Sequence, residues 1–486
     1  MYNRLRQLGR DSLVYGVGGI AARAIGLIVL PVYTRVLKPA EYGDIEILAI
    51  SGAFFGALLS MGMDSAQSFY FYEQKEGGHE ARKRVISAIA QWRLTWGVAL
   101  VVAGTALSPL LNRFLFDSRL DWRYFMVIFV VTLLDQQASQ AADVFRLEHQ
   151  PWRYMSITMT NTMLTALAAI FFVAVLNLGV LGFLIGSAVG SLLAAVVGSW
   201  GIRSYLDFST SHRDWWPRIL RFGIPFVPAS LAMYVLSSSD RWFISYFHGQ
   251  DALGVFAVGA RFATLISAAV IVFRQAWWPV AMESLHHSDG PELMRFMARA
   301  YLGLMAIGVV LLTALSPWLV KILTGPAYHS AYPIVGVLAW PAVLYGFYLI
   351  VAAGMWKREK TAWLPVAMGI AAVVNVALSL ALVPRFAAMG AAIATAVSFV
   401  VWIAVTTVVS ERLWKIGHSF VALSGQLVAG AGATAAILVL FRQQRPAWMV
   451  VAVTIVASLV IAAISVDRPR IQAMVAALRR RAERPA

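Results

Sequence analysis

The sequence predicts an all-α polytopic membrane protein with about fourteen transmembrane helices, on three observations. Of its 486 residues, 60% are apolar and 13% are charged, whereas soluble chains are roughly 45–50% apolar and 25% charged. Apolar segments of about twenty residues, the length that crosses a bilayer, recur almost from end to end. The two halves of the chain also resemble each other. Together these observations exclude a soluble fold and leave no room for a soluble domain of useful size.

The apolar segments give the expected positions of the helices. The first eleven residues are polar and basic, and the apolar run after them is longer than a signal-peptide core, so we expect a retained first helix. Fourteen segments are long enough to span a membrane: 12–34, 44–69, 86–107, 122–145, 154–176, 180–202, 219–240, 252–280, 296–320, 331–354, 362–383, 388–410, 419–440 and 447–466.

A duplication divides these helices into two sets. The motif TALSPLL around Ser108 returns as TALSPWL around Ser316, an offset of 208 residues (316 − 108). The same offset aligns 182–189 with 390–397. Each copy holds six helices, an even number, so the repeats are parallel, and two bundles that face one another should enclose a cavity that rocking opens to either side. The expected domains are an N-terminal six-helix bundle (1–205), a C-terminal six-helix bundle (206–412), two additional helices (413–466) and a basic cytoplasmic tail (467–486).

The distribution of positive charge predicts the sidedness of the helices. If the N-terminus is cytoplasmic, roughly 26 of the 40 Lys and Arg lie in inside segments and roughly 10 in outside segments. The clusters 82–84, 357–360 and 479–481 all lie on the predicted inside face. We therefore expect both termini in the cytoplasm. The net charge of +16 is spread over many loops, so nucleic acid is not an expected partner.

The residue types exclude several chemistries. The chain has no cysteine, which rules out disulfides, thiolate metal sites and cysteine nucleophiles. The segment 16–21 has the spelling of a nucleotide-binding loop, but no strand precedes it and it lies in a predicted membrane helix. His286 and His287 lie in a predicted loop without further ligands. We predict no catalytic residue, no metal site and no cofactor, and coupling to an H⁺ or Na⁺ gradient stays open.

Four arginines at membrane depth are the first candidates for a binding site, because a charge at mid-membrane is costly and is kept where it has a function. Arg23 ranks first among them, because it lies at the centre of the first apolar segment, on a stripe of glycines. Arg93, Arg261 and Arg274 are the others, and the last two, thirteen residues apart in the sequence, are separated by about 220° on an ideal helix. Guanidinium groups suit bidentate contact with phosphate, so we predict a cavity for an anionic ligand. Ion pairs that hold helices together are the alternative.

Acidic and polar residues at membrane depth are fewer. We expect Asp64, Gln67 and Asp135 to line the cavity with the arginines. Three further charged residues lie nearer the interfaces, and we predict structural ion pairs for them: Asp143, Asp240 and Arg241.

Small residues predict two backbone features. Gly223, Pro225 and Pro228 should open backbone hydrogen bonds near the start of the second bundle, which predicts a gating hinge, with a static kink as the alternative. A glycine ladder at spacing four predicts close helix packing: Gly182, Gly186 and Gly190.

Four motifs occur in a characteristic order along residues 10 to 410. They are YTRVLKPAEYG at 33–43, GMDSA at 62–66, FGIP at 222–225 and DRWFI at 240–244 with a glycine ten residues later. In this order they resemble the Wzx-type oligosaccharide/polysaccharide flippases of the multidrug/oligosaccharidyl-lipid/polysaccharide (MOP) exporter superfamily. Many members of that family have a basic residue where this chain has Ser68.

The resemblance implies a V-shaped pair of six-helix bundles in a bacterial inner membrane. It implies a flippase that moves a polyprenyl-diphosphate-linked oligosaccharide, such as an O-antigen, capsule or exopolysaccharide repeat unit, from the cytoplasmic to the periplasmic leaflet by alternating access. The intramembrane arginines would then bind the diphosphate or acidic sugars, and the two extra helices would accommodate the polyprenyl tail. Membrane lipids and other polysaccharide assembly proteins are the further expected partners.

Three other classes stay open. A drug/cation antiporter of the same superfamily would carry mainly acidic cavity charges and usually twelve helices. A membrane enzyme of polysaccharide assembly, such as a polymerase or ligase, would need a long external loop, and the predicted outside loops are short. A regulatory or scaffolding protein would leave the buried arginines unexplained. We therefore predict a transporter and not an enzyme.

Overall fold

The computed structural model describes residues 2–116 and 120–466, a range that is nearly all helical and contains no strand. The predicted basic tail at 467–486 lies outside it. The α-helices are α1 (Tyr2–Val36), α2 (Pro39–Ser60), α3 (Met63–Glu73), α4 (Gly78–Ala106), α5 (Ser108–Phe116), α6 (Trp122–Leu147), α7 (Pro151–Ile170), α8 (Gly179–Gly201), α9 (Trp216–Gly223), α10 (Val227–Ser284), α11 (Gly290–Leu323), α12 (Tyr332–Val351), α13 (Ala353–Lys357), α14 (Trp363–Leu413), α15 (Phe420–Arg442) and α16 (Ala447–Ser465). A π-helical turn, Phe171–Val175, extends α7, and 3₁₀ turns occupy Arg203–Tyr205, Arg213–Trp215, Ile224–Phe226 and Pro326–Ala331.

Twelve helical stretches of the described chain are long and apolar enough to cross a membrane. Two of them, 230–284 and 363–413, each contain two helices joined at one non-helical residue, Gly249 in α10 and Ala387 in α14. Counting these as pairs gives fourteen crossing segments among the described residues. The expectation of an all-α membrane protein with about fourteen helices is therefore confirmed.

The expected single helix at 44–69 is instead two helices, α2 and α3, because the chain turns between them. Met61 and Gly62 both have left-handed backbone conformations, with φ of 41° and 73°. Such angles end an α-helix, and glycine adopts them at little cost. Gly62 was the one residue in the sequence that indicated a break, and the break was not predicted because the hydrophobic segment continues on both sides of it.

The predicted glycine ladder lies where α8 packs on α7. A Cβ atom added at Gly186 or Gly190 would clash with backbone atoms of Ala169 or Thr165 of α7, and one at Gly182 would lie 2.8 Å from the carbonyl oxygen of Phe172. Small residues at spacing four let two helix backbones approach closely. The prediction of helix packing at this ladder is confirmed.

The chain divides into two compact units. One consists of Met1–Arg261, Lys321–Ala331 and Met368–Ser398, and the other of Phe262–Val320, Tyr332–Ala367 and Phe399–Ala486. The predicted bundle boundary at residue 205 lies inside the first unit, and the two bundles stay a prediction. In both units large apolar side chains remain exposed on the spanning helices, among them Ile28 (71%) in the first unit and Leu304 (66%) in the second. Exposed apolar faces of this kind are compatible with lipid and not with water.

The loop between α14 and α15, in the second unit, is fixed by a single carboxylate. Glu411 accepts hydrogen bonds from the backbone N–H groups of Ile416, Gly417 and His418 at 3.0–3.1 Å. Arg295 of α11 donates to the carbonyl oxygen of Ile416 at 3.1 Å. Charge-assisted hydrogen bonds of this type hold a loop more firmly than neutral ones. The loop therefore has a defined path and a buried histidine, His418.

Candidate functional site

The first unit contains a cavity of about 770 Å³. Small residues of α1 and α2, such as Gly26 and Gly52, form part of its wall and leave space for it. Its polar lining comes from α1, α2, α6, α7, α8 and α10: Tyr33, Tyr42, Ser60, Thr132, Asp135, Gln136, Ser139, Asn161, Thr162, Thr165, Ser187, Ser191, Ser230 and Arg261. Ligand clefts in proteins are about 300–1,000 Å³, so this cavity is large enough to hold a small molecule or part of a larger one.

A chain of four charged residues lies at the Arg261 side of the cavity. Arg261 lies 3.4 Å from Glu46 of α2, and Glu46 accepts a hydrogen bond from Arg241 at 2.7 Å. Arg241 also pairs with Asp240 at 3.0 Å. The Glu46 and Asp240 side chains are nearly fully buried, whereas 48% of the Arg261 side chain is exposed. The buried acids thus balance the charges of the two arginines, and Arg261 is the one of these four residues that reaches the cavity.

Two tyrosines extend this charged side of the cavity. Tyr42 of α2 has a hydrogen bond with the Arg261 guanidinium, and Tyr33 of α1 lies within its electrostatic reach. Both tyrosines line the cavity. Their hydroxyl groups and the guanidinium together present donors to any anion bound there.

Asp135 of α6 lies on a different part of the wall, among neutral partners. Asn161 of α7 donates a hydrogen bond to its carboxylate at 2.9 Å, and Thr165 donates to the side-chain oxygen of Asn161 at 3.2 Å. Ser191 of α8 also hydrogen-bonds Asp135. No Arg, Lys or His of the described chain forms an ion pair with this carboxylate. Asp135 therefore brings a carboxyl group to the cavity without a basic partner.

The predicted cavity residues Arg93, Asp64 and Gln67 do not line this cavity: Arg93 and Gln67 are buried, and 47% of the Asp64 side chain is exposed. Arg93 is fully buried, forms an ion pair with Asp64 and donates to the carbonyl oxygen of Gln136 at 2.8 Å. The buried Gln67 donates to the carbonyl oxygen of Gln140 at 3.3 Å. These contacts join α3, α4 and α6 behind the cavity. Ser60 donates to Asp64 at 2.9 Å and so connects the Arg93–Asp64 pair to the cavity wall.

Arg23 and Arg274 are exposed side chains of the spanning helices. Arg23 donates to the carbonyl oxygen of Gly19 one turn earlier at 3.3 Å and does not line the cavity. Arg274 belongs to the second unit. The non-helical residue that interrupts α10 is Gly249, which precedes both Arg261 and Arg274. The site roles of both residues stay predictions.

The three residues with predicted structural ion pairs all have ionic partners. Asp143 pairs with Arg146 at 2.9 Å, one turn away on α6. Asp240 and Arg241 pair with each other, and Arg241 additionally holds Glu46.

The predicted hinge residues lie at the junction of α9 and α10, where the backbone changes from α-helical to 3₁₀. Gly223 ends α9, Pro225 lies in the 3₁₀ turn, and Pro228 is the second residue of α10. A Cβ atom at Gly223 would clash with the carbonyl oxygen of Met61, and one at Gly62 would clash with that of Gly223. The two glycines therefore allow a direct backbone contact between this junction and the break that follows α2.

Sequence reasoning missed several residues of this site. Glu46 lies in a spanning segment, and its charge at membrane depth was a sufficient signal to find it. The neutral partners Asn161, Thr165 and Ser191 gave no such signal, because isolated amides and hydroxyls are common on membrane helices.

The sequence comparisons point to one family. A family model described as "Polysaccharide biosynthesis protein" matches residues 8–285. A protein of the Lsg locus of Haemophilus influenzae is 24% identical to the chain over 285 residues, which are 57% of the chain and 66% of that protein. The chain thus spans slightly less than two thirds of the length of the curated relatives it matches, 66% and 65%.

Solved structures share the fold. The structure titled "Lipid II flippase MurJ, inward closed conformation" is similar with a TM-score of 0.71 at 13% identity, and covers 93% of this chain and 98% of that chain. An inward-facing structure of a multidrug resistance MATE family transporter of the MOP superfamily is similar with a TM-score of 0.58 at 16% identity, and covers 81% and 95%. At these identities the likeness shows the fold alone.

Proposed function

Since the chain belongs to the polysaccharide biosynthesis protein family, we propose that it is a flippase, which moves a polyprenyl-diphosphate-linked oligosaccharide from the cytoplasmic to the periplasmic leaflet by alternating access. Family membership confirms the resemblance to Wzx-type exporters of the MOP superfamily. The observation that carries the proposal is a cavity of about 770 Å³ among spanning helices of the first unit, with hydroxyl and amide side chains on its wall and one guanidinium reaching into it. Sugars need such a wet, hydrogen-bonding space, because the bilayer interior offers none.

The charged side of the cavity supports a role in binding the diphosphate. Arg261, held by Glu46 and joined by the Tyr42 hydroxyl, presents fixed donors on the cavity wall. A guanidinium makes short, bidentate hydrogen bonds to phosphate oxygens. Arg261 is therefore the first candidate for the diphosphate contact, and we propose Arg23 and Arg274 as further contacts for the anionic ligand.

The helix break and the glycine contact support alternating access. Opening and closing a central cavity needs elements that change their angle at a few backbone positions. The junction formed by Gly223, Pro225 and Pro228, in direct contact with Gly62, provides such a position in the first unit. We propose that separating Gly62 from Gly223 opens the cavity at this end.

The last two helices, α15 and α16, are our candidate for the part that accommodates the polyprenyl tail. They lie outside the internal repeat, and they carry strongly exposed apolar side chains, among them Val421 at 84% and Leu459 at 65%. We further propose that both termini are cytoplasmic and that the membrane is a bacterial inner membrane, as the distribution of Lys and Arg favours.

A drug/cation antiporter is the second candidate, and Asp135 is the observation that favours it. A carboxylate without a basic partner, facing a cavity, suits an organic cation or a coupling ion. The family match to polysaccharide biosynthesis proteins favours the flippase over this reading. A polymerase or ligase is disfavoured, because the two similar solved structures described above are titled as a flippase and as a transporter.

Depletion of the protein in its native host tests the proposal. If the chain is the flippase, one lipid-linked glycan should accumulate on the cytoplasmic leaflet, where mass spectrometry of extracted lipids identifies it and protection from periplasmic glycosidases locates it. Re-expression of the wild-type chain should clear the accumulated intermediate, whereas Arg261→Ala, present at an equal level in the membrane, should not. Depletion without accumulation of any polyprenyl-diphosphate glycan would contradict the proposal.

A further inference from the structure

The charged side chains on the cavity wall limit which glycans can bind in the cavity. Among the described residues that line the cavity, one has a basic side chain, Arg261, and one has a carboxyl side chain, Asp135. The charge of Arg261 is already balanced by Glu46, which is buried directly behind it. The remaining polar groups of the wall are neutral hydroxyls and amides. The wall therefore offers no surplus of positive charge beyond the one guanidinium that a diphosphate would occupy.

Asp135 makes its part of the wall unfavourable for anions. Its carboxylate is fixed by the Asn161 amide and by the Ser191 hydroxyl, and neither carries a charge that would offset it. Both partners also line the cavity, as do Thr162, Thr165 and Ser187 from the same two helices. We call these five uncharged side chains on α7 and α8, which surround Asp135 of α6, the neutral wall.

The neutral wall has the chemistry that recognises uncharged sugars. A carboxylate accepts hydrogen bonds from sugar hydroxyls, and Asn, Ser and Thr both donate and accept. A sugar carboxylate in the same place would lie a few ångströms from Asp135, where two carboxyl groups cannot both be ionised without a large cost in a low-dielectric surround. Buried sites reject a ligand that leaves their polar groups wrongly matched far more sharply than they reject a change in size.

From this arrangement we infer that the glycan moved by this protein consists of uncharged sugars where it faces the neutral wall, and that Asp135 excludes acidic ones. The inference rests on the proposed flippase function and narrows its substrate class. It departs from the expectation that the arginines bind acidic sugars: the diphosphate takes Arg261, and the sugars take the neutral wall.

A matched pair of substrates tests the inference. The purified full chain is reconstituted in vesicles with undecaprenyl-diphosphate disaccharides that differ only in whether the second sugar is glucose or glucuronic acid. The initial rate of flipping is measured for each, by protection of the labelled sugar from an external enzyme. Wild type should move the neutral lipid at least about tenfold faster, which corresponds to about 1.4 kcal/mol of discrimination.

Variants of the wall assign the discrimination to Asp135. Asp135→Asn should bring the ratio of the two rates toward one. Asp143→Asn is the matched control, because Asp143 is an acid of the same helix that pairs with Arg146 and does not line the cavity, and its ratio should equal that of wild type. Should Asp135→Asn fail to fold, Ser139→Asp adds a second carboxylate to the cavity wall and should increase the ratio.

The outcomes of these transport measurements distinguish a failure of the inference from a failure of the proposed flippase function. Equal rates for the two lipids, or a faster rate for the acidic one, with wild-type protein would overturn the inference while the flippase function stands. An unchanged ratio in both Asp135→Asn and Ser139→Asp would overturn the assignment to Asp135. If wild type moves neither lipid, the proposed function itself fails, and the inference fails with it.

Discussion

Glu46 of α2 and Arg241 of α10 form a buried ion pair, with 2.7 Å between the Glu46 Oε1 and Arg241 Nε atoms. Only 8% and 17% of their side chains are exposed. Because the two residues are 195 positions apart in the sequence, the pair fixes helices from distant parts of the chain against each other. It does so beside the cavity, since Glu46 also holds Arg261.

Glu46→Gln should destabilise the protein and impair its transport. The change removes the shared counter-charge of two arginines, and loss of one partner from a buried pair costs about 3–5 kcal/mol when nothing compensates. Asp240 remains beside Arg241, so we expect about half of that cost. The measurement is the melting temperature of the detergent-solubilised protein. Glu73→Gln is the control, because Glu73 pairs with Arg218 at the same 2.7 Å but on the surface, where such a pair contributes about 0–1 kcal/mol. Equal losses in the two variants would contradict a special role for Glu46.

Gly62→Ala should lower the melting temperature far more than Gly78→Ala. Both glycines have left-handed backbones, with φ of 73° and 70°, so alanine costs about 1–2 kcal/mol of backbone strain at either position. A Cβ at Gly62 additionally clashes with the backbone of Gly223, whereas one at Gly78 meets no atom within 4 Å. The difference between the two variants therefore isolates the backbone contact at the α9–α10 junction. Similar melting temperatures in the two variants would show that the backbone at this junction accommodates the added Cβ atom without loss of stability.

The sequence predicted the helices better than it predicted the site, for physical reasons. Long apolar segments and the ladder at Gly186 depend only on local composition and spacing, so they could be found without the fold. Arg93 and Arg261 have the same signal in the sequence, a charge at membrane depth. Only the fold shows that Arg93 is buried against Asp64 while Arg261 reaches a cavity. The break at Gly62 was missed because hydrophobicity is continuous across it, and turn geometry is not part of that signal.

Arg261→Ala should reduce the rate of flipping more than Arg23→Ala does. The sequence ranked Arg23 first, since it lies at the centre of a predicted helix, whereas the structure places Arg261 on the cavity wall and Arg23 on an exposed helix face. Loss of a charge-assisted contact to a phosphate costs about 1.5–3 kcal/mol, or roughly tenfold to a hundredfold in rate if the contact is made during transport. Initial rates in reconstituted vesicles, normalised to protein in the membrane, measure this. Wild-type transport by Arg261→Ala with strong loss in Arg23→Ala would restore the sequence-based ranking.

His418 should make the loop between α14 and α15 sensitive to acid. Burial holds the pKa of the His418 imidazole at about 4, below its ordinary 6.5, and neither ring nitrogen has a hydrogen-bond partner among the described residues. Because the pKa is lowered in the folded state, the unfolded chain binds the proton more readily, and folding stability falls as the pH drops from 6.5 toward 4. The loss reaches about 2 kcal/mol at pH 5. Melting temperatures at pH 7.5 and pH 5 measure it, with His418→Phe as the matched control, since a buried phenyl ring cannot titrate. If wild type and His418→Phe lose the same stability between these two pH values, then His418 is not the group that responds.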